Sequence, residues 1–325
     1  MSTLTLTRRR GLAAAGWLGP VVRRLGAGVA VLWAAATGAY LALLLAPGDT
    51  VDVLIGSDGG LDTPERRAQI IAEWGLDRSP LQQYGDYLLR LLQGDLGRSY
   101  VLQRDVADVL ASQIWPTIQL ALTAATFGIV LALVLALSTA GRRSWLGGLA
   151  GLSELVTVSV PPFLIGILLL AVFSFTLGWF PVSGDKGLIS LVLPGLALGL
   201  QVAGVLGQVL RDGLERALEE PFAVTARSRG ITEWRLVARH ALRHALLPAV
   251  TLTGWFTGFL LGGAIIVEAV FGRPGLGQIT VGAVNSKDMP LVMAVVLISA
   301  LAYVTVSTIV DLAYLAIDPR LRRSR

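Results

Sequence analysis

The sequence predicts an all-α integral membrane protein of about six transmembrane helices with both termini in the cytoplasm. Three observations predict it: an excess of apolar residues, six apolar runs long enough to cross a bilayer, and arginines gathered in alternate connecting segments. Of the 325 residues, 54% are hydrophobic and only 15% charged, and mean hydropathy is +0.68. An average soluble domain carries about 25% charged residues. Burying this apolar surface in one soluble core would leave too little polar chain to cover it.

A hydrocarbon layer of about 30 Å needs about 20 apolar residues to cross it. Six runs qualify, at 25–46, 117–140, 155–177, 188–210, 245–267 and 291–317. Only Asp311 lies well inside one of them, while Glu154 and Glu268 fall at run edges. A charge at the bilayer centre costs about 2.5–3.5 kcal/mol on the insertion scale, so this sparse placement fits the assignment. Asp311 is a candidate gating or translocation residue by its depth, set against the plainer role of pairing with an arginine or a helix end.

Most of the 27 basic residues fall where an even number of crossings puts them on one side. They are Arg8, Arg9, Arg10, Arg23 and Arg24, then Arg142 and Arg143, then seven arginines from Arg211 to Arg243, and finally Arg320, Arg322, Arg323 and Arg325. The other side has Lys186, Arg273, Lys287 and six arginines in segment 47–115, where eleven acids outnumber them. The positive-inside rule then places both termini in the cytoplasm. The net charge of +5 follows membrane sidedness and not nucleic-acid binding. Thr7-Arg8-Arg9-Arg10 and Ala34-Ala35-Ala36 faintly resemble an export signal and its cleavage site, but the apolar run, about 22 residues, exceeds a signal core of about 7–15. The first span is therefore expected to be retained. Residues 11–22 contain Pro20 and are too short to cross; they read as an interfacial extension or as disordered.

Segment 47–115 is long for a connector and reads as a small external subdomain. Helical patterning covers 63–74, with Thr63 as N-cap and Pro64 at the first helical position, and again 81–92 after Pro80. In the internal segment 211–244, Leu214, Ala217 and Leu218 repeat at helical spacing up to Pro221. A short stretch, 222–229, then runs to Gly230. Thr232 is a candidate N-cap with Glu233 in the first turn, where a negative charge suits the helix dipole. Beyond it Trp234, Val237, Ala241 and Ala245 form one stripe, and Arg235, Arg239 and Arg243 another. Pattern alone admits two readings: an amphipathic connector anchored by arginines, or an elbow that docks a soluble partner.

A phosphate-cradling loop needs a lysine, and neither Lys186 nor Lys287 stands in such a context. No cysteine is present, which excludes disulfides and thiolate metal sites. His240 and His244 stand four apart but lack a third ligand and read as interfacial polar residues. No Gly-x-Ser-x-Gly elbow precedes a helix, so enzyme activity is not expected. Pro161 and Pro162 fall in the third run, Pro194 in the fourth and Pro248 in the fifth. Each frees a backbone carbonyl and reads as a packing kink, with Pro161 and Pro162 also candidates for a gating position. Gly258, Gly262 and Gly263 read as close helix packing.

The segment Phe222-Ala223-Val224-Thr225-Ala226-Arg227-Ser228-Arg229-Gly230-Ile231, with Arg239-His240-Ala241-Leu242-Arg243-His244-Ala245-Leu246-Leu247-Pro248, resembles the cytoplasmic loop of binding-protein-dependent ABC permeases, and most closely their dipeptide/oligopeptide/nickel branch. Further matches follow in order: Pro47-Gly48-Asp49, Gly75-Leu76-Asp77-Arg78-Ser79-Pro80, Gly94-Asp95-Leu96-Gly97-Arg98-Ser99, Trp115-Pro116-Thr117, Val160-Pro161-Pro162-Phe163, Gly178-Trp179-Phe180-Pro181-Val182-Ser183-Gly184, Phe271-Gly272-Arg273-Pro274-Gly275-Leu276-Gly277 and Asp318-Pro319-Arg320. One such motif is weak, but this ordered set is specific.

The resemblance implies a type I ABC importer permease in a bacterial inner membrane. It implies a permease domain at 25–317, with the external subdomain at 47–115 and a coupling loop at 211–244; the cytoplasmic extension at 1–24 is not a feature of that family, and 318–325 is read as a cytoplasmic tail. It implies as partners a second permease, two ATP-binding subunits, an extracytoplasmic substrate-binding protein and membrane lipid, with ATP and Mg held by the partner ATPases and no cofactor in this chain. The implied coupling residues are Glu220, Pro221, Phe222, Ala223, Thr225, Ala226, Arg227 and Gly230, with Phe222 and Ala226 as the first groove contacts and Gly230 as the permissive turn. The chain departs from the wider superfamily in Val224-Thr225-Ala226 and Leu242-Arg243, and has Ser307 where members place an asparagine four residues before the aspartate. The implied work is alternating access driven by separate ATPases. A secondary transporter would show midplane polar sites and repeated halves, neither of which is visible; a non-transporting assembly subunit is the other rival. The branch handles peptides, nickel chelates and other small solutes. The absence of Cys, with two His and three Met, disfavours direct metal coordination in a pore, so peptide is the expected cargo.

Overall fold

The computed structural model describes residues 8–45, 50–58, 62–141 and 145–317, without the side chains of 8–21, 146, 247, 253–254 and 311–317. Among these residues the regular structure is helical, apart from one isolated bridge between Arg98 and Asp105. Four helical stretches are long and apolar enough to cross a membrane unaided: Val22–Leu45, Val106–Thr139, Ile189–Glu219 and Met289–Val310. Two bent helix pairs, Gly147–Ser159 with Pro162–Thr176 and Glu233–Thr251 with Trp255–Val270, are long and apolar enough only when each pair is taken together.

The chain divides into two compact units. In the first, α1 (Arg8–Leu45) packs along α14 (Met289–Ile317), and Gly28 lets Val304 approach so closely that a Cβ would lie 2.9 Å from it. The helix runs unbroken from Arg8, so 11–22 is helical and not irregular, and Pro20 is accommodated within it. The segment that follows α1 folds as α2 (Thr50–Asp58), α3 (Pro64–Trp74) and α4 (Pro80–Leu92) around Val51, Leu54, Ile55 and Ile70. The Thr63 hydroxyl accepts the Arg66 N–H at 3.2 Å, and Ser79 and Gln82 complete a reciprocal capping box on α4. The loop beyond is held by buried Asp288, whose carboxylate accepts the Ser99 hydroxyl, the Tyr100 N–H at 3.1 Å and the Val101 N–H at 3.3 Å.

The second unit contains α5 (Val106–Thr139), α6 (Trp145–Ser159), α7 (Pro162–Leu169) with a π stretch to Thr176, α8 (Ile189–Glu219), α9 (Pro221–Ser228), α10 (Glu233–Arg235), a π stretch Leu236–Ala241, α11 (Leu242–Thr251), α12 (Thr253–Val270) and α13 (Leu276–Asn285). Its core centres on α8, which meets α6, α7, α11 and α12. Small residues allow close approach: a Cβ on Gly199 would lie 2.8 Å from the Ala124 carbonyl, and one on Gly263 would lie 2.7 Å from Leu198.

Two expected continuous spans are broken. Run 155–177 turns by 105° between α6 and α7. Pro162 pushes Pro161 into extended backbone (ψ 142°), and neither proline supplies an N–H to continue the ladder. Gln201 donates to the freed Val160 carbonyl at 2.5 Å, which removes the cost of leaving it bare in the interior. Run 245–267 bends by 58° between α11 and α12. The start of α6 at Trp145, ahead of the expected run, also moves Glu154, expected at a run edge, well inside that helix.

Candidate functional site

The strongest candidate site is the elbow that follows α8. The helix ends at Glu219 because Glu220 is extended (ψ 149°) and Pro221 starts the next helix at the position where a missing N–H costs nothing. α9 is eight residues long, and alone in water such a helix would be marginal. Its stability comes from its seat: Ala223 and Ala226, three apart, are buried in a core shared with Leu214, Leu218, Leu236 and Val237. The helix closes in a Schellman arrangement, with Gly230 N–H on the Arg227 carbonyl at 2.9 Å and Ile231 N–H on the Ala226 carbonyl at 3.2 Å. Gly230 has φ +76°, so a side chain there strains the backbone although space beside it is open.

Side chains tie the elbow down further. Arg227 donates to both carboxylate oxygens of Glu233, at 2.7 and 3.3 Å, and reaches the Leu218 carbonyl at 3.4 Å. One guanidinium thereby joins the end of α8, the end of α9 and the start of α10. Phe222, half-buried, stacks on His244 with centroids 5.1 Å apart. Thr232 stands at the N-cap position of α10, but its hydroxyl makes no capping bond; its carbonyl accepts from Leu236 instead.

The residues singled out from sequence therefore separate into two sets. Ala223 and Ala226 face the chain's own core, Phe222 lies on His244, and Arg227 and Gly230 fix the turn. Glu220, Pro221 and Thr225 are exposed, and so are Val224, at 63%, and Ser228. Val224 was not among the expected contacts, yet it is the apolar centre of the outward face. The signal for it was the Ala223/Ala226 spacing, which turns 224, 225 and 228 outward. In the following helix Val237, Ala241 and Ala245 keep their buried stripe, but Trp234 leaves it at 57% exposure and Leu236 takes its place. The π stretch Leu236–Ala241 adds a residue to the turn and shifts the phase.

Two buried charged clusters brace this unit. The Glu154 carboxylate on α6 meets Arg211 on α8 at 2.6 Å. Glu268 on α12, fully buried, accepts the Thr117 hydroxyl at 2.7 Å and the Gly277 N–H at 2.7 Å, while the Thr117 oxygen accepts the Leu276 N–H at 2.8 Å. Arg273, 1% exposed, donates to Gln119 at 3.2 Å and Ser190 at 3.4 Å. The glycines of 271–277 follow from this geometry: a Cβ on Gly275 would lie 2.3 Å from the Glu268 carboxylate, and one on Gly277 2.3 Å from the Ile265 Cα. Pro161 and Pro162 form the α6–α7 break, away from α9 in sequence, and the Asp311 side chain lies outside the described residues.

Several apolar helices long enough to cross a membrane, with a short helix at an elbow after one of them, are the architecture of a multi-pass membrane protein. The chain belongs to the family of binding-protein-dependent transport system inner membrane components, whose model matches residues 103–323. It is 36% identical over 307 residues to the glutathione transport system permease protein GsiC of Salmonella choleraesuis (strain SC-B67), covering 93% of this chain and 98% of that protein. It is 35% identical over the same length to GsiC of Escherichia coli (strain K12). Its fold matches the crystal structure of an amino acid ABC transporter with histidines, at a TM-score of 0.50 and 19% identity, covering 63% of this chain and 92% of that one. The chain is thus an inner-membrane, multi-pass permease of the ABC importer class, as its sequence motifs led one to expect.

Proposed function

We propose that this permease imports short peptides, glutathione or its relatives among them, by alternating access powered by separate ATP-binding subunits. The near end-to-end similarity to permeases named for glutathione supports that cargo class. The assembly it fits holds a second permease, two ATPases that bind ATP and Mg, and an extracytoplasmic binding protein that selects the solute. Arginine distribution supports placing both termini and 211–244 in the cytoplasm.

The observation that carries the reading is α9. Its inward face is locked to the core and its outward face offers Val224 with Pro221, Thr225 and Ser228. A partner groove that seats this face gains apolar burial without ordering the helix, because the ordering is already done. Motion of the partners then passes through Arg227 and α8 to the rest of the unit, with the α6–α7 break at Pro161–Pro162 and Asp311 as proposed gate elements.

The test is a reconstituted complex given peptide, its binding protein and ATP. Uptake should require all three, and Val224→Asp should reduce it at least tenfold while the permease remains folded. Full uptake without ATP, or normal uptake by Val224→Asp, contradicts the proposal.

A further inference from the structure

Within the first unit, α3, α4 and the loop after them enclose a cleft of about 450 Å3 with Tyr40 and the first turns of α14. That is within the range of small-ligand sites, about 300–1,000 Å3. Several of its charged residues are already committed. Arg78 pairs with Asp86 at 2.5 Å, Asp95 accepts the Gly97 N–H at 2.8 Å, and Arg98 donates to the Gln103 carbonyl at 2.8 Å. Three polar groups are not. The side chains of Glu73 on α3 and of Arg90 in the last turn of α4 have no hydrogen-bond or ion-pair partner among the described residues, and neither has the buried Tyr87 hydroxyl. The aromatic wall is Trp74 against Tyr100, edge to face with centroids 4.8 Å apart.

One uncommitted carboxylate and one uncommitted guanidinium on a single cleft complement a molecule that carries an ammonium and a carboxylate. Arg90 suits the carboxylate because its planar fork binds both oxygens, and Glu73 suits the ammonium. We propose that this cleft is a binding site for free amino acids or short peptides with both termini unblocked, held by Arg90 and Glu73 with Tyr87 as a third donor and an apolar side chain against Trp74 and Tyr100. Burial pushes the Tyr87 phenol up to about 12, so at neutral pH it donates a hydrogen bond and carries no charge to repel the carboxylate. The site is held on a frame with its own core, Val51, Leu54, Ile55 and Ile70, and by the Asp288 clasp on the adjoining loop.

The test is calorimetric titration of the purified full chain, without partners, with the dipeptide alanyl-phenylalanine and its N-acetylated and C-amidated forms. The unmodified dipeptide should bind and each blocked form should bind at least tenfold more weakly. Arg90→Gln should erase the preference for a free carboxylate and leave the preference for a free amine; Glu73→Gln should do the converse. Both side chains are exposed and unpartnered, so the variants should melt like the parent, and an unchanged Tm shows that they fold. Three forms binding equally, no binding of the unmodified dipeptide, or unaltered preferences in both variants overturns the proposal. So does a result in which the variants weaken only attachment of the external binding protein, which would make the cleft a seat for a protein side chain. None of these residues belongs to α9, so failure here leaves the importer reading standing.

Discussion

The Glu154 carboxylate on α6 and the Arg211 guanidinium on α8 lie 2.6 Å apart, with Glu154 only 1% exposed. The approach depends on glycine: a Cβ on Gly207 would come within 3.1 Å of the carboxylate, and one on Gly204 within 2.5 Å of the Thr157 hydroxyl. Arg211 also donates to the Gly147 carbonyl at 3.3 Å. The pair thus fixes the helix that leads into the elbow against the helix that leads to the α6–α7 break.

Removing one partner leaves the other charge buried and alone, which costs about 3–5 kcal/mol, whereas apolar replacement of both is often neutral. Arg211→Ala should therefore lower the Tm of the purified permease markedly, and the double variant Glu154→Leu, Arg211→Met should regain most of it. Thermal melts of the three proteins check this. Equal loss in the single and double variants would mean that the pair does not brace α8.

Two glycines of α13 should respond in opposite ways to the same change. Gly277→Ala drives a methyl to within 2.3 Å of the Ile265 Cα and disturbs the N–H that holds Glu268. Gly282 has nothing within 4 Å of its Cβ position, and alanine favours a helix interior by about 1 kcal/mol. Gly277→Ala should lower yield and Tm sharply, and Gly282→Ala should hold or raise the Tm.

The small core built on α2 and α3, with its neighbour α4, should lose stability in alkali. Burial pushes Tyr87 and Tyr100 up to about 12 from an ordinary 10.0. Below pH 10 both states hold the proton and nothing changes. Between 10 and about 12 the unfolded chain releases these protons while the folded one keeps them, so stability falls as pH rises. Tyrosinate absorbance should show a late-titrating fraction that shrinks in Tyr100→Phe; a single transition near 10 for all six tyrosines would contradict this.

The apolar runs, the helices α3 and α4 and the elbow were legible because each rests on local chemistry: runs of apolar residues, Thr63 and Pro64 at a helix start, Pro221 and Gly230 at either end of α9. What was not legible depends on what meets what. The α6–α7 turn looked like a kink because sequence spacing does not reveal that the Gln201 amide would donate to the freed Val160 carbonyl. Glu154 and Glu268 looked like edge charges because their partners, Arg211, Thr117 and Gly277, lie far along the chain. α2 went unnoticed between two turn-rich stretches. The burial of Ala226 in the chain's own core was not legible for the same reason: the pattern fixes a helix, but only its neighbours decide which side is covered.

The measurement that bears most directly on force transfer through α9 uses the absence of native cysteine. A cysteine at Val224, 63% exposed, and another at Ala223, fully buried, are made separately in the otherwise cysteine-free chain. In the assembled complex with ATP-binding partners, Val224→Cys should be shielded from a bulky maleimide that labels it in the isolated permease, and should cross-link to the partner, while Ala223→Cys should do neither. Equal labelling of Val224→Cys with and without the partners would contradict the account.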